Sequence, residues 1–397
     1  MATLGHRSEL ALIRRPALAA VIALAMGMLL GPAGLRLLRP QLLDDAAPIG
    51  TFAEIALLTC LFCVGLRLRL PMQWHCWRVP CRLSTLTTLA TLAMTAAAAH
   101  LFFDMKLPEA LLLGAILAPT DPVLASEISP HLDTDQAAPA VILSAEGGIN
   151  NGLAAVLALL VLGLMGLSDA DALPLSGLCL DALWAAGGGF TIGWLAGAAA
   201  SRCMTLLDPE RQAEYLEVAM VFATAALAYG GALAIHTSGF LAVFAAGVAL
   251  THAGRLRRAT RNRPLMPRVL KVAMQVERYA WLAIIVLLGA LVAAVDFRPR
   301  MLGFALLLLL VVRPLAVRLG LGNLPMGESA WRGVAWFTAR GVAPLYCLAL
   351  AIQHGLGLSL ARELAGVTVA VVVISIIATA ISALPLSRAS PGAVDPR

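Results

Sequence analysis

Five polar residues lie inside two hydrophobic segments of the sequence, where their oxygen atoms could bind a cation or a proton. The first segment, EALLLGAILAPTDPVLASE, contains Thr120 and Asp121, and the second, AAPAVILSAEGGINNGLAAV, contains Glu146, Asn150 and Asn151. A charge near the centre of a bilayer costs a few kcal/mol or more, so such residues are expected to serve a function. If both segments cross a membrane, these five residues form a candidate ion-binding site.

A proline predicts a break in the first of these segments. Pro122 has no N–H and clashes with the preceding turn, so we expect the helix to break at Thr120–Asp121. Such a break leaves backbone groups without partners, which is tolerated at membrane depth only beside protein or water. Secondary transporters often bind ions at interrupted helices of this kind. The alternative interpretation is a simple proline kink beside an aspartate whose hydrogen bonds are satisfied.

Two arginines also lie inside hydrophobic runs. Arg313 occurs in LLLLLVVRPLAV, and Arg340 occurs in WFTARGVAPLYCLAL, where Gly341 and Pro344 predict a second helix break. Two interrupted helices suggest a structural repeat, and in an inverted repeat the two breaks would cross at the midplane. We expect Arg313 to neutralise Glu146, because a buried carboxylate without a partner is very costly. The alternative for each arginine is that its side chain extends to an interface.

The composition predicts a membrane protein. Hydrophobic residues make up 60% of the 397 residues, charged residues make up 13%, and the mean hydropathy is +0.86, whereas soluble domains carry roughly 25% charged residues. We predict an all-α polytopic protein with a membrane domain at residues 17–386, flanked by a cytoplasmic N-terminus (1–16) and a cytoplasmic tail (387–397). With about 20 apolar residues per span, about twelve transmembrane helices are predicted, at residues 17–38, 52–66, 83–103, 109–126, 138–165, 175–200, 215–235, 239–252, 272–295, 301–319, 330–352 and 364–384.

The positions of the basic residues predict the orientation. With an inside N-terminus and twelve crossings, most arginines fall on the cytoplasmic side, including the dense run from Arg255 to Lys271, as the positive-inside rule requires. We therefore predict a multi-pass protein of the inner (plasma) membrane with both termini in the cytoplasm. The same distribution accounts for the net charge of +6 without a nucleic-acid partner. The basic run could in addition bind anionic lipid head groups.

The cysteines predict neither a redox site nor a metal site. Cys60 and Cys63 have redox spacing but lie inside an apolar span, and His75, Cys76 and Cys81 lack a second pair of ligands at metal-binding spacing. No His-Glu-x-x-His or Gly-x-Ser-x-Gly motif and no pair of catalytic aspartates is present. We therefore expect no enzymatic activity, no cofactor and no metal other than a transported monovalent cation.

Three further acids have a less specific interpretation. Glu54 and Asp181 lie near the starts or middles of predicted helices, and Glu277 is adjacent to Arg278. Charges near helix ends can reach the head-group region of a bilayer. We expect these acids to be peripheral or paired with a neighbour.

Six motifs spread along the chain form a familiar combination: FAEIALLTCLFCVGLRLRL, EALLLGAILAPTDPVLASE, SAEGGINNGLAAV, HTSGFLAVFAAGVAL, VVRPLAV and WFTARGVAPL. With them, nearly the whole chain resembles the NhaP-like sodium/proton exchanger branch of the monovalent cation:proton antiporters. The resemblance implies an inverted-repeat fold with two broken, crossing helices. It also implies a homodimer in the lipid bilayer, in which a mobile core (about 83–165 and 301–384) moves against a dimerisation scaffold and exchanges Na⁺ or K⁺ for H⁺.

The resemblance also implies roles for individual residues. Thr120 and Asp121 correspond to the Thr-Asp of the first broken helix, and Glu146 corresponds to the family glutamate. Arg313 corresponds to the arginine that pairs with this glutamate, and Arg340 to the arginine of the second broken helix.

The chain departs from the family at one position. The family normally has Asn-Asp where this chain has Asn150 and Asn151, so the carboxylate that carries either the cation or the proton is missing. The family site is neutral when loaded, whereas the site with Asn151 is neutral when empty and carries one positive charge with Na⁺ bound. An amide cannot take up a proton in this range, so proton coupling must move to Asp121, the better candidate, or to Glu146, or be lost. If it is lost, the chain would be an antiporter-fold sensor, partner subunit or passive conduit.

Overall fold

A computed structural model describes most of the chain. The described residues are 16–68, 70–125, 138–167, 174–206, 214–258, 267–293, 295, 297–322, 324, 328–336 and 339–386. Within these ranges every regular element is helical. Almost all of the predicted N-terminal segment and the whole predicted tail lie outside the described residues.

Within the described residues the helices group into twelve elements, and each overlaps one of the predicted hydrophobic segments. In chain order they are α1 (Pro16–Leu30), α2 (Ala46–Arg67), α3 (Trp74–Phe103), α4a (Leu107–Leu117), α4b (Pro122–Ala125), α5 (Ala138–Leu164), α6 (Leu175–Leu206), α7 (Glu214–Ala234), α8 (Gly239–Arg258), α9 (Pro267–Val292), α10 (Pro299–Leu321), α11a (Glu328–Trp336), α11b (Val342–Gln353) and α12 (Leu358–Leu386). The fourth and eleventh elements are interrupted, as predicted.

Among the described residues, eight elements are long and apolar enough to cross a membrane, namely α2, α3, α5, α6, α7, α9, α10 and α12. The apolar parts of α1, α4a, α8 and α11b are shorter. The prediction of an all-α polytopic membrane protein is confirmed. The number of crossings, about twelve, stays a prediction.

The predicted helix ends were wrong where a helix continues into polar sequence. α3 begins at Trp74 rather than at residue 83. Its first turns are amphipathic, because Pro80 is buried and Trp77 packs against the hydrophobic core while Arg78 is exposed. A hydropathy pattern records only the apolar part of such a helix.

α3 and α10 share an unusual feature, a short π-helical segment close to a proline. The segment Leu83–Thr87 follows Pro80, and the segment Leu308–Val312 directly precedes Arg313 and Pro314. A proline interrupts the regular backbone ladder because it has no N–H, and a wider turn accommodates that interruption. Each triplet of helices, α3–α5 and α10–α12, thus contains one π segment and one broken helix.

The helices form two packing groups around α2. One buried apolar cluster joins α2 with α6, α7, α8 and α9, and a second joins α3, α5, α10 and α11a. α2 contacts α8, α9 and α11b. The Gln353 amide of α11b also donates to the Ala46 carbonyl of α2 at 3.2 Å. The largest apolar cluster connects both groups, so the broken helices lie in the interior of the molecule.

Candidate ion-binding site

The first break lies where the sequence predicts it. α4a ends at Leu117, residues 118–121 are not helical, and α4b begins at Pro122. The Asp121 Oδ1 atom accepts a hydrogen bond from the Val123 N–H at 2.8 Å, so the aspartate satisfies a backbone donor at the start of α4b. Thr120 and Asp121 are both buried, with 5% and 6% exposure.

The second break crosses the first in direct contact. The Asp121 N–H donates to the Ala339 carbonyl at 2.8 Å, and the Arg340 Nε donates to the Leu117 carbonyl at 2.6 Å. Each break therefore supplies a hydrogen-bond partner to the other. Gly341 is required at this crossing, because a Cβ atom there would overlap the Asp121 carboxylate. Arg340 itself is 1% exposed, so its side chain does not extend to an interface.

The predicted partner of Glu146 is Arg313. Two hydrogen bonds join them, from Nη1 to Oε1 at 2.7 Å and from Nη2 to Oε2 at 2.9 Å. Both side chains are almost completely buried, so Arg313 also does not extend to an interface. Both carboxylate oxygens of Glu146 are therefore occupied by one arginine, which agrees with a charge-compensating role.

Asn150 faces the first break and has an oxygen atom without a partner. Its Nδ2 donates to the Thr120 Oγ1 at 3.0 Å, whereas its buried Oδ1 has no hydrogen-bond partner. Buried polar atoms are normally satisfied, so each exception calls for an explanation. An oxygen beside a threonine hydroxyl, at a helix break that also carries an aspartate, is suited to bind a cation.

Asn151 is held by two backbone carbonyls. Its Nδ2 donates to the Thr120 carbonyl at 2.9 Å and to the Gly147 carbonyl at 2.6 Å. The Thr120 carbonyl is one of the groups that the helix break frees from the helical ladder. An ionised carboxylate could donate to neither carbonyl. The asparagine amide nitrogen thus lies where an aspartate would need a proton or a cation.

A tryptophan of α9 completes the surroundings of Asp121, and sequence analysis missed it. The Trp281 Nε1 donates to the Asp121 Oδ2 at 2.7 Å, and its side chain is fully buried. Buried tryptophans usually find a partner for their N–H. A tryptophan within the apolar run AWLAIIVLL is therefore a signal of a buried hydrogen bond, although the sequence does not identify its acceptor.

For Glu277, expected to be peripheral or paired, the pairing is confirmed and the peripheral position is wrong. Glu277 is 2% exposed and lies one helical turn before Trp281 on α9. Its Oε1 accepts a hydrogen bond from the Arg67 Nη2 at 2.7 Å, so its ion-pair partner lies at the end of α2 and is not the adjacent Arg278. Helical spacing of four residues brings Glu277 and Trp281 to the same face.

Glu54 is paired and Asp181 is exposed. The Glu54 Oε1 accepts from the Tyr229 hydroxyl at 2.6 Å, and the Asp181 side chain faces outward.

The cysteines are free; Cys60 and Cys63 are buried, and the Cys63 thiol donates to the Ala273 carbonyl at 3.2 Å.

The structure therefore brings Thr120, Asp121, Asn150, Asn151 and Arg340 to one crossing point. Glu146 lies one turn before Asn150 on α5 and pairs with Arg313 of α10. The available ligands are oxygens, namely a carboxylate, a hydroxyl, an amide carbonyl and freed backbone carbonyls. Oxygens of this kind suit hard cations such as Na⁺ and K⁺. Within the described ranges no group of three or more His, Cys, Asp and Glu residues is arranged to hold a metal ion.

In secondary transporters built from inverted repeats, two broken helices cross each other among buried ionisable groups. The helices of this chain have that arrangement, which places it in this class of proteins. The sodium/hydrogen exchanger transmembrane family matches residues 10–388, and the chain belongs to this family.

Individual relatives are distant. The K⁺/H⁺ antiporter NhaP2 of Shewanella sp. (strain MR-4) is 25% identical over 346 residues, which are 85% of this chain and 56% of that protein. The same protein of strain MR-7 gives the same values. The chain thus spans about half the length of these relatives.

Solved structures share the fold. The structure of the sodium proton antiporter MjNhaP1 from Methanocaldococcus jannaschii at pH 8 superposes with a TM-score of 0.73 at 23% identity, over 98% of this chain and 100% of that chain. Its electron-microscopy structure gives a TM-score of 0.71 at 22% identity, over the full length of both chains. The inverted-repeat antiporter fold expected from the sequence is therefore confirmed.

Proposed function

We propose that this chain is a secondary active antiporter that exchanges a monovalent cation, Na⁺ or K⁺, for protons. The observation that carries the proposal is the buried Asn150 Oδ1, which has no hydrogen-bond donor and lies beside the Thr120 hydroxyl. With the Asp121 carboxylate at the same break, these atoms form a set of oxygen ligands for one cation. The relatives named as K⁺/H⁺ and sodium proton antiporters support the same class of cargo.

Proton coupling then requires a carboxylate other than the missing one at position 151. Glu146 is unsuitable, because a proton on its carboxylate would leave the buried Arg313 guanidinium without a counter-charge. Asp121 is the better candidate, since it lies at the crossing of the two breaks, where a cation and a proton would compete for the same carboxylate. We therefore assign the proton-coupled step to Asp121.

A second candidate function is supported by the contacts of Asn151. Its amide group already satisfies the Thr120 and Gly147 carbonyls, so the site needs no cation to neutralise them. A protein with this site could have lost coupled exchange and serve as a sensor, a partner subunit or a passive conduit. The two candidates differ in whether cation flux and proton flux are linked.

Everted membrane vesicles distinguish these candidates. Dissipation of a pH gradient would be measured after addition of sodium, potassium or lithium salts, for the parent, Asn151→Asp and Asp121→Asn. Exchange by the parent that is lost in Asp121→Asn supports the first candidate. Exchange by Asn151→Asp alone supports loss of coupling in the parent. Exchange that is equal in the parent and Asp121→Asn would refute the role assigned to Asp121.

The cellular arrangement belongs to the same proposal. Residues 83–165 and 301–384 would form a mobile core, and the remaining helices would form a scaffold that joins two copies in a homodimer. The two packing groups around α2 support this division. The excess of basic residues in the predicted inner loops supports an inner (plasma) membrane location with both termini in the cytoplasm.

A further inference from the structure

Glu277 is a buried acid that the proposed exchange does not use. It lies on α9, where 2% of its surface is exposed, while its partner Arg67 at the end of α2 is 20% exposed. The pair therefore reaches from the interior of the molecule towards solvent. A buried ion pair contributes little net stability compared with apolar residues of similar volume, so stability alone does not account for it.

The same face of α9 touches the ion site. Trp281, one turn after Glu277, donates its indole N–H to the Asp121 carboxylate at 2.7 Å. One turn of α9 and the Trp281 indole separate Glu277 from the Asp121 carboxylate, so their negative charges are close enough to act on each other inside the protein. The other titratable groups facing Glu277 are Arg67, Cys60 and Cys63 of α2. Asp121 is thus the acid whose state Glu277 responds to.

We propose that Glu277 takes up and releases a proton during exchange, so that α9 supplies the second titrating carboxylate that position 151 lacks. This inference rests on the proposed antiport function. The proton adds to Oε2, because Oε1 accepts the hydrogen bond of Arg67, and Arg67 keeps its charge. A cation bound beside Asp121 favours the ionised form of Glu277, and departure of the cation favours the protonated form. Asp121 and Glu277 share the one proton that is taken up when the cation leaves, so the net charge of the site is the same in both forms and one cation exchanges for one proton.

The proposal can be tested on the purified full-length protein in detergent, without transport. Addition of sodium or potassium chloride to the parent should release protons, detected with a pH-indicator dye, and should remove a carboxylic-acid C=O band from the infrared difference spectrum. Glu277→Gln keeps an oxygen for Arg67 but cannot titrate, so the band and the proton release should both be reduced by at least about half. A band and a proton release that are the same in the parent and in Glu277→Gln would overturn the proposal.

The pH profile of exchange provides a readout that a purely structural ion pair would not change. Removal of one negative charge near Asp121 should move the acid limb of the profile to lower pH by about one unit, given the strength of charge interactions in proteins. Glu54→Gln is the matched control, because Glu54 is a partly buried scaffold acid that accepts from Tyr229. This control should leave both the band and the profile unchanged. Coincident profiles for the parent and Glu277→Gln would count against the proposal.

A second variant tests the proposal if Glu277→Gln does not fold. Arg67→Gln retains the carboxylate but removes its counter-ion, so the pH at which the Glu277 band appears should shift, and a band that does not move contradicts the proposal. The measurement in detergent tests the titration of Glu277, and the measurement in vesicles tests the antiport function, so either hypothesis can be refuted without the other. A parent that shows no exchange in vesicles, but does release protons on cation binding, contradicts the antiport function and leaves the titration of Glu277 supported.

Discussion

Replacement of Asn151 by aspartate is the sharpest perturbation that the site allows. The Asn151 Nδ2 donates to the Thr120 carbonyl at 2.9 Å and to the Gly147 carbonyl at 2.6 Å. An ionised aspartate removes both donors and directs a carboxylate oxygen towards two carbonyl oxygens. An unsatisfied buried acceptor costs about 1–3 kcal/mol, so two of them predict a loss of about 2–6 kcal/mol in stability at alkaline pH without a bound cation.

A cation or a proton should restore this loss. Sodium or potassium between the carboxylate and the carbonyls replaces the two donors, and a ligand that binds only the folded state stabilises it by about 2.7 kcal/mol at a hundredfold excess over its Kd. Protonation at acidic pH supplies one donor again. Thermal unfolding of purified Asn151→Asp should therefore become strongly dependent on sodium and pH. The parent should depend much less on either.

Asn150→Asp is the matched control for this experiment. It also introduces a carboxylate on the same turn of α5, but the Asn150 Nδ2 contacts the Thr120 hydroxyl, at 3.0 Å. A hydroxyl can rotate and donate to a carboxylate, whereas a carbonyl cannot. The loss of stability should therefore be smaller in Asn150→Asp. Choline chloride at equal concentration corrects for ionic strength. If Asn151→Asp at alkaline pH without sodium were as stable as the parent, the assigned hydrogen bonds would be wrong.

Two further predictions concern the pair and the crossing. Arg313→Leu should destabilise the protein by about 3–5 kcal/mol, because it leaves Glu146 buried without a partner. The double variant that also carries Glu146→Leu should recover part of this loss. If the losses of the two single variants were additive in a double-mutant cycle of unfolding, the pairing would be contradicted. Gly341→Ala should abolish exchange in vesicles, because the new Cβ atom overlaps the Asp121 carboxylate. Gly357→Ala should retain the exchange of the parent, because the space around Gly357 is open. Equal activity of the two variants would exclude a tight crossing of the two breaks.

The helix breaks and the Glu146–Arg313 contact could be predicted because they follow from local chemistry. A proline cannot continue the backbone ladder, and a buried carboxylate requires a cation close by. The contacts of Trp281 and Glu277 could not be predicted in the same way. Trp281 and Asp121 are 160 positions apart, and Arg67 and Glu277 are 210 positions apart, so only the packing of α9 against α2 and the first break brings them together.

The contacts of Asn151 bear on how coupling could work at all. An asparagine resembles a protonated aspartate in size and charge, and here it donates to both carbonyls that an ionised aspartate would repel. The site of this chain is therefore electrically neutral when it is empty. The site of a typical family member is expected to become neutral only after it has bound a cation or a proton. The site could then change from facing one side of the membrane to facing the other without an ion bound at position 151. Nothing at this position would link cation flux to proton flux. Any linkage must come from the acids on either side of Trp281, Asp121 at the break and Glu277 on α9. A protein in which both acids can be neutralised without a change in proton flux would be a conduit rather than an exchanger.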